Sequence, residues 1–254
     1  FDVQNTRWTH WTMDDNPILS EERKRSIIQS LKKNPYLYKR DVLGQRVMPQ
    51  GVIYGLFDLE KNSKDSLLGE PVEMYFTGDG GQSDATSMAC NIVTKHREGN
   101  KTFFRLNRVA HYYHSGAETG QVKAMSTYAV ELRAFIQWCV SKYQMRYTDV
   151  WIDPACRSLR EELHKLGIRT RGALNNAHDV SSKAKGIERG QNIISSGQFL
   201  LINHSEEEYD HYHFLKEIGL YSRDDNGKPI DKDNHAMDEF RYSVNVFCKR
   251  YANF

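Results

Sequence analysis

Three aspartates in the 254-residue chain have surroundings that could bring their carboxylates into one site. Asp79 lies in a glycine-rich segment (GDGG), and Asp153 directly follows a short apolar run. Asp238 lies in the segment HAMDEFRY, three residues after His235. Carboxylate oxygens are the ligands that hard divalent cations such as Mg²⁺ and Mn²⁺ prefer. Three converging aspartates can hold two such ions, which activate water for attack on a phosphodiester.

Each aspartate also has an ordinary structural explanation, and the residues alone leave both interpretations open. A carboxylate in the first turn of a helix, as Asp238 would be, is favoured by the helix dipole. Asp153 precedes Pro154 and could simply end a strand, and Asp79 could serve a glycine-rich turn. Three close carboxylates without a cation, however, repel one another and raise one another's pKa values. A cluster that held no metal would therefore be costly.

Two further side chains are candidates for the same site. Asp84 follows Asp79 closely and could be a supporting metal ligand. His235 could orient a water or a phosphate, or could merely cap its helix. Asp149 is a rival for Asp153, but it begins the apolar run and would lie at the other end of that strand.

The strand pattern predicts that Asp79 and Asp153 lie at one end of a sheet. Residues 72–77 alternate apolar and polar side chains, which predicts a half-buried strand that ends in the glycine-rich turn. The later predicted elements are strands at 86–94 and 102–113, a helix at 127–142, a strand at 148–153, a helix opened by a capping box of Ser158 and Glu161, strands at 168–174 and 199–202 around a helix at 184–194, a helix from Ser205 to Gly219, and a terminal helix carrying Asp238.

This order of elements predicts an α/β fold. A hairpin meander followed by strand–helix units gives a mixed sheet with helices on its faces, in which the first and fourth strands can be neighbours. In the terminal helix a 3.6-residue period predicts one buried face, formed by Met237, Phe240, Val244, Phe247 and Tyr251.

Composition indicates a globular domain and excludes several classes of protein. Hydrophobic residues make up 39% of the chain and charged residues 27%, which is enough apolar material to fill a core. No apolar run approaches the roughly 18 residues of a membrane span. The four cysteines are far apart, without a CxxC pair, so they indicate neither a zinc site nor a disulfide framework and fit a reducing cytosol. Because the chain begins at Phe1, we expect it to be a piece of a longer protein.

The net charge of +2 hides an uneven distribution. Residues 157–189 contain eight Lys or Arg against four Asp or Glu, whereas residues 203–240 contain eleven acids against four bases. An acidic cluster beside a basic one suits a metal site that faces a polyanion. Two ordinary solvated faces would give the same counts.

Four segments together resemble the nuclease domain of the large subunit of tailed-phage terminases. They are GDGGQSDAT, VWIDPACRSLREELHKLGI, KAKGIERGQNIISSGQFLLI and HAMDEFRY, which occur in the family's order over residues 70–250. The specific part is a histidine three residues before an aspartate, followed by RY. The resemblance implies an RNase H-like mixed sheet flanked by helices. It also implies a two-metal endonuclease that cuts concatemeric double-stranded DNA during genome packaging.

The resemblance also assigns residues. The family's metal-binding triad falls on Asp79, Asp153 and Asp238, with two Mg²⁺ or Mn²⁺ ions as cofactors, and its histidine falls on His235. The second acid of the first motif corresponds only loosely to Asp84. Many relatives have an aromatic residue directly after the first aspartate, where this chain has glycine.

The first part of the chain has a separate counterpart in the same family. Residues 1–57, predicted to be small and mostly helical, resemble the end of the packaging ATPase and its linker, which leaves 58–254 as the nuclease domain. The chain contains no G-x-x-x-x-G-K-[ST] loop, because its one Gly-Lys pair, at Gly227, is followed by proline. We therefore expect no ATP hydrolysis by this piece. The implied partners are double-stranded DNA, the terminase small subunit and the portal protein, in the host cytoplasm and without a membrane.

The basic region 157–189 would hold the DNA backbone in a nuclease of this kind. Arg157, Arg160, Lys183 and Lys185 are the candidates, although the two lysines could equally be solvent-facing helix residues. Such phosphate contacts do not read sequence, so we expect nearly non-specific cutting. Two alternatives stay open: a non-catalytic module that grips DNA or the portal, and another RNase H-like nuclease such as a recombinase or resolvase.

Overall fold

A computed structural model of the chain describes residues 9–31, 42–44, 51–81, 85–173, 180–203, 208–224, 226–231 and 234–251. Its internal contacts divide the chain into two compact units, Phe1–Val52 and Ile53–Phe254. In the first unit the described residues form a 3₁₀ turn, Met13–Asp15, and helix α1, Glu21–Leu31. Thr12 and Asp15 bond reciprocally as a capping box across the turn.

The second unit contains the sheet and the helices that cover it. Its elements in chain order are α2 Leu59–Asn62, β1 Ser63–Lys64, β2 Glu70–Gly80, β3 Ala85–Glu98, β4 Lys101–Ser115, α3 Gly116–Thr119, α4 Met125–Tyr143, β5 Val150–Ile152, α5 Arg157–Lys165, β6 Thr170–Gly172, α6 Val180–Ser195, β7 Phe199–Ile202, α7 Tyr212–Leu220 and α8 His235–Tyr251.

Among the described residues, seven strands form one mixed sheet in the order β1-β7-β4-β3-β2-β5-β6. Strand β3 is antiparallel to both β2 and β4, and the other neighbouring pairs are parallel. Six strands therefore end at the same edge of the sheet, which we call the carboxyl edge. The predicted meander is confirmed, and so is the predicted pairing of its first strand, β2, with the strand that precedes Asp153, β5.

Both faces of β2 are buried, so the prediction of a half-buried strand was wrong. Met74 and Phe76 pack with α4 and α5 on one face, in a core that includes Leu132 and Leu159. Tyr75 lies on the opposite face, in a second core formed with α6, α7 and α8. A strand covered by helices on both sides needs no solvent-facing row, and its polar residues point into the second core instead.

Two predicted helix starts were also wrong. Helix α5 begins at Arg157, so Ser158 lies inside the helix, and no side chain caps its first turn. The preceding turn is closed by Asp153, whose backbone oxygen accepts from Cys156 N at 3.0 Å. Helix α7 begins at Tyr212, not at Ser205, which lies outside the described residues.

The terminal helix α8 is buried around nearly its whole circumference. The predicted apolar stripe is buried as far as Phe247, but Arg241, Tyr242 and Asn245 on other faces are buried too. The helix lies against the sheet and is covered by α6 and α7, which explains why one buried face was too narrow a prediction. Across the described part of the chain, no helix is both long enough and apolar enough to cross a membrane.

Candidate metal centre

Asp79 and Asp153 lie side by side at the carboxyl edge. Asp79 is the penultimate residue of β2, and Gly78 before it pairs in register with Ile152, the last residue of β5. The backbone N–H of Asp153 continues this pairing by donating to Gly78 O at 3.1 Å. Neighbouring strands are about 4.8 Å apart, so the two aspartates leave adjacent strands at nearly the same level.

The glycines around Asp79 are required by packing and not by space for a ligand. A Cβ on Gly78 would lie 2.8 Å from Ile152 Cδ1, and one on Gly80 would lie 3.0 Å from Leu159 Cδ2 and 3.3 Å from Cys156 Sγ. Both would project to the face of the sheet opposite Asp79, because side chains alternate along a strand. The glycines thus let β2 pack tightly on β5 and α5.

The first turn of α8 brings the third aspartate and the histidine to the same edge. Met237 N and Asp238 N both donate to Asn234 O, at 3.0 and 2.9 Å, which sets the start of the helix. His235 Nδ1 donates to Asp79 Oδ2 at 3.1 Å. His235, Asp238 and Tyr242 are spaced at 0, 3 and 7, so they share one side of the helix.

Tyr242 joins α8 to the second predicted ligand. Its hydroxyl donates to Asp153 Oδ2 at 2.5 Å, while Asp153 Oδ1 accepts from Ala155 N at 2.7 Å. The orientation of Asp153 is therefore defined on both oxygens. The RY of HAMDEFRY thus contains a residue that bonds a site carboxylate, a role that spacing alone did not reveal.

Asp238 is paired with two cationic side chains. Arg241 Nη2 lies 3.1 Å from Asp238 Oδ1, and Lys183 Nζ lies 3.5 Å from the same oxygen. Lys183 also lies 3.6 Å from Asp231. Lys183, predicted as a DNA contact, is therefore placed at the third aspartate.

Electrostatics indicate that the three carboxylates share one environment. Burial raises the pKa of Asp79 above its usual value, and the negative charges of Asp238 and Asp153 raise it further. The hydrogen bond and charge of His235 act in the opposite direction. A divalent cation would offset this repulsion, and hard carboxylate oxygens suit Mg²⁺ or Mn²⁺. The donor set fits such an ion.

The carboxylates of Asp79, Asp153 and Asp238 do not form a complete metal-coordination shell. Within the described residues, no three His, Cys, Asp or Glu side chains converge closely enough to hold a metal ion. Each aspartate of the predicted triad instead bonds to a protein partner: Asp79 to His235, Asp153 to Tyr242, and Asp238 to cations. Metal binding would require these side chains to exchange partners.

The other predicted residues fall in different places. Asp84 lies outside the described residues. Asp149 lies at the opposite edge of the sheet, paired with Arg250 at 2.6 Å, as its position at the strand's start predicts. Arg157 and Arg160 lie in the first turn of α5, which follows Asp153 in the chain, and Lys185 is exposed on α6.

Sequence reasoning missed Glu217, which holds the start of α8. Its Oε2 accepts from Ala236 N at 2.7 Å and Met237 N at 3.3 Å, and it is only 4% exposed. Burial raises its pKa to about 7. A carboxylate at a helix N-terminus satisfies otherwise orphaned N–H groups. No local signal marks it, because the residue whose N–H it accepts, Ala236, lies 19 positions further along the chain.

A buried ion pair beneath the site was also missed. Glu239 Oε2 lies 2.5 Å from Arg108 Nη1, and both side chains are fully buried. Thr77, two residues before Asp79, donates to the other oxygen of Glu239 and accepts from Asn91 Nδ2 at 3.0 Å. The network ties α8 to β2, β3 and β4 directly behind the three aspartates.

Comparisons with known proteins support this architecture. No protein-family model matches the chain, and no curated protein matches it. Among solved structures, the large terminase of a thermophilic bacteriophage is 21% identical over 94% of this chain and 55% of its own, with a TM-score of 0.60. The same terminase in complex with ADP gives 22% identity and a TM-score of 0.61. The P22 large terminase nuclease domain is 14% identical over 81% of this chain and 95% of that domain, with a TM-score of 0.54.

The chain has an RNase H-like α/β fold, with its central mixed sheet flanked by helices. It resembles the phage large terminases in structure. It spans about half the length of the thermophilic phage terminase.

Proposed function

We propose that this chain is a metal-dependent endonuclease that hydrolyses phosphodiester bonds of double-stranded DNA, as the nuclease part of a phage-type large terminase. The observation that carries the proposal is that Asp79 and Asp153 end adjacent strands of an RNase H-like sheet and that the first turn of α8, which contains Asp238, contacts Asp79 at the same edge. The contacts from His235 to Asp79 and from Tyr242 to Asp153 support it.

Each residue has a role in the proposed reaction. Asp79, Asp153 and Asp238 would hold two divalent cations, Mg²⁺ or Mn²⁺, with Asp84 as a candidate further ligand. Bound cations of this kind activate water and offset negative charge at the phosphate. Tyr242 orients Asp153, and His235 orients Asp79 through its Nδ1–H, which fixes the imidazole tautomer.

The wider assignment follows from the same resemblance. We infer that residues 1–57 are the end of a packaging ATPase and its linker, that 58–254 form the nuclease domain, and that this piece alone does not hydrolyse ATP. The division of the chain into two units supports a two-part arrangement, although it falls between Val52 and Ile53 and not at residue 57, and the coverage of about half of the thermophilic phage terminase is consistent with a piece of that protein. In the whole protein the partners would be the small subunit and the portal protein, in the cytoplasm of the host.

Plasmid cleavage tests the proposed activity. Supercoiled DNA is incubated with the chain in Mn²⁺, Mg²⁺ or EDTA, beside Asp153→Asn and Asp238→Asn. We expect metal-dependent nicking that either substitution lowers by at least about 100-fold, because removing a ligand should exceed the roughly 10- to 100-fold effect of losing a ligand's supporting partner. Folding of each variant is checked by circular dichroism.

Asp65→Asn is the matched control for these variants. Asp65 is exposed and directly follows β1, at the same edge of the sheet. Three strands separate β1 from β2, which places it about 19 Å away at about 4.8 Å per strand. Its substitution should leave cleavage unchanged. No cleavage with any metal, or a cleavage rate that neither site substitution changes, would favour a non-catalytic module that binds DNA or the portal.

A further inference from the structure

A basic groove runs along the outer side of α5 beside the candidate metal centre. It is a cavity of about 540 Å³ lined by Arg157, Arg160, Glu161, His164, Arg169 and Thr170. The four helix residues are spaced at 0, 3, 4 and 7, so they share one face of α5, opposite the buried Leu159 and Leu163. Arg169 and Thr170, at the start of the edge strand β6, form the other side.

Among the described residues, no carboxylate forms an ion pair with the arginines of this groove. Neighbouring basic residues outside it are paired, Lys165 with Glu162 at 2.7 Å and Arg171 with Asp149. In the part of the chain that the structure describes, Arg157, Arg160 and Arg169 form no ion pair. Three arginines against one glutamate leave the lining with two net positive charges.

A hydrogen bond to a neutral hydroxyl holds one arginine of the groove in place and leaves its positive charge unpaired. Arg160 is half-buried and its Nε donates to Thr170 Oγ1 at 3.2 Å, which joins α5 to β6. Arg157 and Arg169 are exposed on either side. A guanidinium held by a neutral hydroxyl keeps its charge and further N–H donors for an anion.

Arg157, at one end of the groove, lies four residues after Asp153 in the chain. Asp153 and the start of α5 are linked by the turn in which Asp153 Oδ1 accepts from Ala155 N at 2.7 Å. From Arg157 to His164 the helix rises about 10.5 Å, at about 1.5 Å per residue. One DNA strand carries a phosphate about every 3.4 Å of helix rise, so this length corresponds to about three phosphates.

We propose that this groove binds the phosphodiester backbone of duplex DNA on one side of the cleavage point, through Arg157, Arg160 and Arg169. The inference rests on the proposed nuclease function and extends it by naming the surface that positions the substrate. Lys183 does not belong to this surface, because it is paired with Asp238 and Asp231 on the other face of the sheet. Contacts to phosphate carry no base information, so the groove would hold any sequence.

Salt-dependent DNA binding without cleavage tests the groove. Binding of the full chain to a fluorescent duplex of about 25 base pairs is measured by anisotropy in EDTA, over a series of KCl concentrations. Each phosphate contact contributes about 0.9 to the slope of log K against log salt. Each single change, Arg157→Gln, Arg160→Gln or Arg169→Gln, should lower that slope by about 0.9, and the triple variant should lower it by about 2.7.

The control has the same charge change at a different place. Arg133 is exposed on α4, outside the groove, so Arg133→Gln should leave the slope at the wild-type value. Arg160→Gln also removes a hydrogen bond to Thr170 and so could disturb the fold. Arg169 is exposed, so the effect of Arg169→Gln on the slope reports DNA contact without that complication. A triple variant that binds with the slope of Arg133→Gln would overturn the proposal, as would a wild-type chain that does not bind the duplex.

Cleavage by the wild-type chain in Mn²⁺, measured in parallel, separates this inference from the function on which it rests. Cleavage by the wild type together with an unchanged slope for the triple variant would reject the groove and keep the nuclease. A groove-dependent slope without cleavage in any metal would reject the nuclease and keep the groove as a DNA-binding surface.

Discussion

Each aspartate of the predicted metal-binding triad contacts a side chain of α8. Asp79 accepts from His235, Asp153 accepts from Tyr242, and Asp238 lies on α8 itself, paired with an arginine one turn along. These bonds hold carboxylates that would otherwise repel one another. They also mean that a small shift of α8 changes the surroundings of all three.

The Tyr242 hydroxyl should be needed for cleavage but not for the fold. Tyr242→Phe removes a bond to an ionised carboxylate, worth about 1.5–3 kcal/mol, and leaves the ring in place. If that loss falls on the transition state, the cleavage rate should drop by about 10- to 100-fold. Single-turnover plasmid nicking measures it. Tyr212→Phe, which alters a residue 62% exposed, is the control and should cleave normally. Equal rates for both variants would contradict this role.

Glu217 should make stability depend on pH. Burial raises its pKa to about 7 from an ordinary 4.5, so between these values the folded protein keeps a proton that the unfolded chain has released. The stability contributed by this group is therefore complete below about pH 4.5 and falls as the pH rises to about 7. The difference corresponds to about 3 kcal/mol in the free energy of unfolding.

Glu217→Gln removes this titration and keeps an acceptor for the first turn of α8. Relative to the wild type, the variant should gain about 3 kcal/mol in the free energy of unfolding between about pH 4.5 and about pH 7.5. Urea denaturation at both pH values measures it. A difference between variant and wild type that stays constant with pH would show that Glu217 is not protonated in this range.

At the scale of elements, α6 and α8 pack closely enough to direct a side chain into the site. A Cβ on Gly186 of α6 would lie 2.7 Å from Arg241 Cγ and 2.9 Å from Arg241 Cδ. The missing side chain thus lets Arg241 lie between the helices and reach Asp238 at 3.1 Å. A glycine in a helix costs about 1 kcal/mol relative to alanine, so close packing here outweighs helix propensity.

Gly186→Ala should therefore destabilise the protein in spite of the gain in propensity. Overpacking costs about 1–3 kcal/mol, and the displaced Arg241 should lose its contact with Asp238. Gly219→Ala on α7 is the matched control, because a Cβ there would meet nothing within 4 Å. Urea denaturation should show the first variant less stable than the wild type and the second equal or slightly more stable. Equal stability of the two variants would mean that Arg241 moves aside freely.

At the scale of the whole molecule, local pattern predicted the framework of the site. Alternation in β2 and the apolar run of β5 placed Asp79 and Asp153 at one edge, and the structure has these strands paired there. The first-turn position of Asp238 is likewise as predicted. These features depend on residues that are close in sequence, or on the small number of ways in which a meander and strand–helix units can assemble.

The features of the site that the sequence did not predict depend on contacts between residues distant in sequence, or on which of two residues caps the start of a helix. Arg108 meets Glu239 across 131 positions, and neither residue carries a local sign of burial. The predicted capping box of Ser158 was wrong because Asp153 closes the preceding turn and the helix starts at Arg157, two residues before the start that a cap at Ser158 would give. The pairing of Lys183 with Asp238 was missed because the two residues are distant in sequence and lie on different helices.

The most direct test of the central claim is metal binding itself, measured by calorimetric titration of the chain with Mn²⁺. We expect the wild type and Asp65→Asn to bind, and Asp79→Asn, Asp153→Asn and Asp238→Asn each to lose at least about 100-fold in affinity. Binding should also stabilise the wild type by about 2.7 kcal/mol at about 100 times the dissociation constant. Absence of binding by the wild type, or equal affinity in all the variants, would contradict a shared metal site built from the three aspartates.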